Sequence, residues 1–107
     1  MYLLEFTKTF NQDIDNVLEF IKVEYSSSLI EENLFISLHK KLEQIKYMPY
    51  SQALITDDFF LSLGYRFIKV KKYFVFYKIL EDKKIIRLSR FLHSSRDWKH
   101  ILKEEDS

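Results

Sequence analysis

An α+β fold is what this sequence predicts, and three observations carry the prediction. The first half places apolar residues at helical spacing, a single proline closes that half, and the second half alternates β-branched and aromatic runs with lysine-rich joints. Runs of helix followed by runs of strand separate this class from the strictly alternating α/β one. The 107 residues are expected to form one domain spanning 1–107, long enough to bury a core without staples. The 47% hydrophobic and 17% aromatic content excludes a disordered chain. No cysteine is present, so disulfides and thiolate metal sites are excluded.

The elements follow in order. Tyr2, Leu4 and Phe6 share one face of a short N-terminal strand. Thr9 and Gln12 stand three apart, as a capping box requires. Phe10, Ile14, Val17, Leu18, Ile21 and Tyr25 then form the apolar stripe of a helix ending near Tyr25. Ser26-Ser27-Ser28 breaks it, and Ser28 with Glu31 opens a second helix. That helix carries Leu34, Leu38, Leu42 and Ile45, with Ile30 and Phe35 beside them, and Pro49 stops it. The short joint predicts an antiparallel helical hairpin. Residues 50–63 are ambiguous; Asp57-Asp58-Phe59-Phe60 reads equally as loop, short helix or partner contact.

Tyr65 to Val70, Tyr73 to Leu80 and Ile85 to Leu92 are three strands with joints too short for crossovers, hence an antiparallel meander. Ser94, three residues before Asp97, is expected to cap a final helical turn or two carrying Trp98, Ile101 and Leu102.

Charge divides the chain more sharply than its net +1 suggests. Residues 1–63 hold five Lys/Arg against ten Asp/Glu, whereas residues 64–103 hold twelve against three. The strand half is therefore suited to a polyanion or an acidic partner, or is simply a solvated lysine-rich surface. The N-terminus lacks the basic and apolar regions of a signal peptide, and no apolar run approaches the ~20 residues of a membrane helix. A cytoplasmic protein without a membrane partner is the expectation. One glycine excludes a phosphate-cradling loop, and His39, His93 and His100 lack metal-ligand spacing, so no cofactor or metal is expected.

Three stretches in order resemble the RelE/ParE superfamily of toxins. They are Gly64-Tyr65-Arg66-Phe67-Ile68-Lys69-Val70, Tyr73-Phe74-Val75-Phe76-Tyr77 and Phe91-Leu92-His93-Ser94-Ser95-Arg96-Asp97-Trp98. Pro49 also falls where that family tends to place a proline, and the resemblance spans Tyr2 to Leu102. It implies a toxin neutralised by a cognate antitoxin in a hetero-oligomer. It also implies one of two targets: DNA gyrase on the ParE-like side, or the ribosome and its mRNA on the RelE-like side.

Metal-free RNA cleavage needs a base for the 2′-hydroxyl, cations for the phosphorane and an acid for the leaving oxygen. By resemblance to RelE-like nucleases, Arg66, His93 and Arg96 would be the catalytic residues. Two places are unfilled: Phe74 stands where nucleases carry an arginine, and Trp98, Ile101 and Leu102 occupy the region of their late tyrosine. The ParE-like branch is favoured, with a non-toxic antitoxin-binding relic as a third reading.

Arg66, Arg87, Arg90, Arg96 and Trp98 are the candidate contacts for target or antitoxin. Each has a structural alternative. Arg66 could pair with Glu19 or Glu24, Arg96 with Asp97 or a neighbouring carboxylate, and Trp98 could dock the last helix. His93 could be a hydrogen-bonded histidine at a strand end.

Overall fold

The computed structural model describes residues 1–26 and 28–105. Strand β1 (Leu3–Phe6) is followed by α1 (Lys8–Tyr25) and α2 (Ser28–Tyr47). A 3-10 turn at Pro49–Ser51 and the short helix α3 (Asp58–Leu61) lead to β2 (Arg66–Val70), β3 (Tyr73–Leu80), β4 (Ile85–His93) and α4 (Trp98–Glu105). The expected α+β class and the meander are borne out. β2 pairs antiparallel with β3, and β3 antiparallel with β4. β1 returns alongside β4 in parallel, giving the order β1-β4-β3-β2.

Two expected caps are corrected. Helix α1 is capped by Thr7, not Thr9: the Thr7 hydroxyl accepts from the Phe10 N–H at 3.1 Å and donates to the Leu88 carbonyl at 2.9 Å. Thr7 wins because one side chain both caps the helix and ties it to β4, while Thr9 lies inside the first turn. Helix α4 starts at Trp98, and the Asp97 carboxylate, not Ser94, takes the N–H of His100 at 3.4 Å. Ser94 and Ser95 are instead consumed by the turn that follows β4. The expected Ser26-Ser27-Ser28 break includes residue 27, which lies outside the described residues; Ser28 itself is the first residue of α2.

The sheet is covered on both faces. Against one lie α1 and α2, whose Phe10, Ile21, Leu34, Leu38, Leu42 and Ile45 pack on Ile68, Val70, Val75, Ile86 and Leu88. Against the other lie α3, α4 and the segment before β2, which bring Ile55, Phe60 and Leu102 onto Tyr65, Phe76 and Leu92. Full burial of such side chains stabilises the fold by about 1.5–3 kcal/mol each.

The ambiguous 50–63 segment is mostly exposed but sends two side chains into the core. Ile55 and Phe60 are 4% and 0% exposed, Leu54 bridges Arg66, and the Ile55 N–H donates to the Tyr65 carbonyl. The single glycine ends α3. Gly64 has φ +75°, in the left-handed region, and its N–H donates to the Phe60 carbonyl.

Candidate functional site

β1 pairs with β4 only as far as Leu88, leaving the rest of that edge without a neighbouring strand. Ser89 is an extra residue there, because Tyr77 pairs with Leu88 and Phe76 with Arg90. The freed edge is satisfied by a carboxylate instead. Asp13 of α1 accepts the Phe91 N–H at 2.9 Å and the Arg90 guanidinium at 2.7 and 2.8 Å. A third Arg90 nitrogen reaches Glu105 at 3.0 Å, so this arginine ties α1 to α4 around the sheet edge. Its carboxylate partners raise the already high pKa of Arg90, Asp13 contributing most.

Beyond that tie, the tip of the helical hairpin stands over the end of the sheet and encloses a cleft of about 800 Å³. One wall is Val17, Phe20, Ile21 and Tyr25 of α1, with Ile30 and Leu34 of α2. Tyr73, Phe91 and Leu92 form the other, and Lys71, Lys72, His93 and Arg96 stand on the sheet side. The lysines occupy the tight β2–β3 turn, where Lys71 adopts φ +56°, and both are exposed.

His93 and Arg96, two of the three residues named for a nuclease, therefore share one cleft. The His93 ring lies edge-on to Tyr73 with centroids 5.2 Å apart, and its Nδ1 accepts the Ser95 N–H at 3.1 Å. Burial, with the nearby Tyr25 adding to it, pushes the Tyr73 hydroxyl above its ordinary pKa. Arg96 is exposed, and neither Asp97 nor any other carboxylate among the described residues forms an ion pair with it.

Arg66 is elsewhere. Val70, Tyr73 and His93 occupy one row of the sheet, whereas Arg66 sits four residues down β2, opposite Tyr77. That offset is about 13 Å along the strand and, across two strand spacings, about 10 Å. Its guanidinium pairs with neither Glu19 nor Glu24. It donates to the carbonyls of Tyr50 and Gln52 and lies 5.1 Å from the Tyr50 ring centroid, clamping the 50–54 segment onto β2. Arg87 is likewise engaged, with Glu5 on β1 at 3.0 Å.

Trp98 is half-buried and docks α4. Its ring meets Phe76 at 5.3 Å, Phe74 at 6.3 Å and Phe60 at 6.4 Å. Phe74 is thus one side of an aromatic seat for the last helix, a role that an arginine at this position could not fill in the same way.

Asp13 is absent from the candidates the sequence offers, although it is a buried carboxylate at 6% exposure. Its signal was available: Asp13 lies one turn from Phe10 and Val17, on the buried side of the stripe. The helical stripes supply much of this apolar wall, and the fold leaves Tyr25 and Ile30 exposed along it.

A mixed four-stranded sheet with a helical hairpin on one face is the fold of the RelE/ParE class of small proteins. Residues 4–98 match the family model described as the ParE toxin of type II toxin–antitoxin systems, parDE, and the chain belongs to that family. Its fold is similar to that of two solved structures from E. coli. Against a chain of the intact RelBE toxin–antitoxin complex the TM-score is 0.59 at 17% identity, over 90% of this chain and 100% of that one. Against the isolated RelE toxin it is 0.59 at 16% identity, over 97% and 98%. No curated protein matches by sequence. Among the described residues, no helix is long and apolar enough to cross a membrane, and no group of three or more His, Asp or Glu side chains converges as a metal site.

Proposed function

We propose that this type II toxin acts in the ParE manner, by poisoning DNA gyrase, and that a cognate antitoxin neutralises it in a hetero-oligomeric complex. The observation that carries the reading is the separation of Arg66 from His93 and Arg96. General acid–base cleavage needs its groups within hydrogen-bond reach of one phosphate. Arg66 instead lies about 13 Å down the strand and is committed to two backbone carbonyls. The seating of Phe74 under Trp98 supports the same reading, since the position is given to packing. So does the family model that matches 4–98.

The test is supercoiling by purified gyrase as toxin is added. Activity should fall with toxin and return when the antitoxin is supplied; undisturbed supercoiling at saturating toxin removes the proposal. A ribosome-dependent endonuclease is the second reading, favoured by His93 and Arg96 sharing the cleft. It requires toxin-dependent cuts at the A-site codon in primer extension on translated mRNA, and their loss in His93→Ala and Arg96→Ala.

A further inference from the structure

We propose that two copies of this chain associate by pairing their β1 strands antiparallel across a two-fold axis, joining the two sheets into one. The contact lies away from the cleft and does not depend on the toxin's target.

A contrast between the two edges of the sheet carries the inference. β2 is guarded. The 53–55 segment lies along it, the Ile55 N–H donating to the Tyr65 carbonyl at 2.9 Å and the Phe67 N–H to the Ala53 carbonyl at 3.2 Å. The exposed Lys69 stands beyond that cover. β1 has no such protection: Leu3–Phe6 contains no lysine, proline or bulge. Its backbone is only half used. The Leu3 N–H donates to the Lys84 carbonyl at 2.9 Å and the Thr7 N–H to the Leu88 carbonyl at 3.4 Å, so the odd positions face β4. Leu4 and Phe6 therefore direct their N–H and C=O groups outward, where no backbone partner meets them among the described residues. The side chains beside that edge are apolar, with Leu3 65% and Phe6 49% exposed. The Tyr2 N–H donates to the Lys46 carbonyl, which brings the exposed Tyr47 and Met48 to the start of the same edge.

Charge decides what covers it. Arg87 holds Glu5 at 3.0 Å, Lys46 holds Glu43 at 3.3 Å, and Lys84 holds Glu81 at 2.8 Å. Each of these cations has its own carboxylate, so nothing here selects an acidic peptide or a nucleic acid. A second copy brings an equally neutral, apolar edge. A two-fold axis through Glu5 uses both free positions. Leu4 then lies opposite Phe6 of the other copy and exchanges two hydrogen bonds with it, and symmetry repeats the pair. The two Glu5 carboxylates meet at the axis, each neutralised by its own Arg87. A four-residue strand with four flanking side chains covers less than the ~800 Å² per partner of a stable complex. The dimer is therefore reversible, forming at roughly tens to hundreds of micromolar.

The experiment sediments the full chain from about 10 µM to about 1 mM, which brackets that range. The mass should rise from 13.1 kDa toward twice that value. Leu3→Lys and Phe6→Lys, which place a charge on the edge, should each weaken association about tenfold or more with circular dichroism unchanged. Lys69→Ala, on the guarded edge, should change nothing. Because the chain has no cysteine, Glu5→Cys supplies a unique thiol. Facing residues of a non-hydrogen-bonded pair have Cα atoms about 4.5 Å apart, within disulfide reach. Mild oxidation should convert Glu5→Cys to a covalent dimer and leave the exposed Lys83→Cys monomeric. Hydrogen exchange at Leu4 and Phe6 should slow as the chain is concentrated. A single 13.1-kDa species throughout overturns the inference, as does a dimer that persists in folded Leu3→Lys and Phe6→Lys. So does Glu5→Cys cross-linking no faster than Lys83→Cys, a comparison that stands even if the lysine variants fail to fold. Exchange at Leu4 and Phe6 that slows only when antitoxin is added also overturns it, since the edge then belongs to the antitoxin.

Discussion

The two ends of the sheet carry similar cations to opposite fates. At the end where β1 starts, Lys84 is 2.8 Å from Glu81, whose other oxygen accepts the hydroxyls of Tyr2 and Tyr50. Arg66 and Arg87 are likewise spent on Tyr50, Gln52 and Glu5. At the cleft end Lys71, Lys72 and Arg96 face an apolar wall and water without an ion pair among the described residues. A cation that satisfies an internal acceptor is part of the fold's stability. One that is left over is available to a partner. The same residue type thus means different things according to what the chain places within about 3 Å of it.

Substitutions can break this contrast, and the largest effect should come from the tie between the two regions. Asp13→Ala leaves Arg90 short of its main partner and the Phe91 N–H unmatched in a buried place. A loss of about 3–5 kcal/mol in urea unfolding is expected; a loss under about 1 kcal/mol would mean water replaces the carboxylate. Arg66→Ala should cost ~1–2 kcal/mol, with hydrogen exchange accelerated at Ile55 and Phe67, whose N–H groups pair across the clamped segment. Unchanged exchange there would show that the clamp is not what holds the 50–54 segment.

At the cleft end the triple variant K71A/K72A/R96A should stay within about 0.5 kcal/mol of the parent, because it removes no internal bond. A larger loss would dissolve the distinction between spent and spare cations.

Two pH dependences complete the series. Tyr77 is buried, its hydroxyl donates to the Pro49 carbonyl at 2.8 Å, and burial pushes its pKa up to about 12. The folded chain holds that proton where the unfolded chain, at about 10, releases it. Stability from this group is full below pH 10 and lost as pH rises toward 12, and Tyr77→Phe should flatten that part of the stability–pH curve. The smallest effect belongs to Glu81, whose pKa is lowered by hydrogen bonds from Lys84 first and then Tyr2. Its contribution is present above the usual carboxylate range and fades as pH falls through the lowered value, so Glu81→Gln should differ from the parent only slightly and only above that range.

The element types and most of their boundaries were legible because they depend on period and local chemistry. The stripe Leu34, Leu38, Leu42 and Ile45 is buried as its spacing predicts, and Tyr73 to Leu80 is a strand over its predicted length. Capping was less legible, since Thr7 and Thr9 are both competent locally. The choice fell to the one whose hydroxyl also reaches Leu88, 81 positions away. For the same reason the 50–63 segment showed no period, although Ile55 and Phe60 are core: their partners lie on β2, β3 and α4.

Composition and order alone therefore establish an α+β chain with its cations gathered in the strand half. Proximity across the chain is what they leave open. Arg66, His93 and Arg96 form one group only by family resemblance, and sheet register puts four residues of strand between Arg66 and the row that holds His93. Asp13 and Arg90, 77 positions apart, read as unrelated charges until the unpaired edge of β4 brings them to 2.7 Å. Local sequence sets how the backbone of each segment folds, but which charges are consumed and which remain free depends on long-range register and packing.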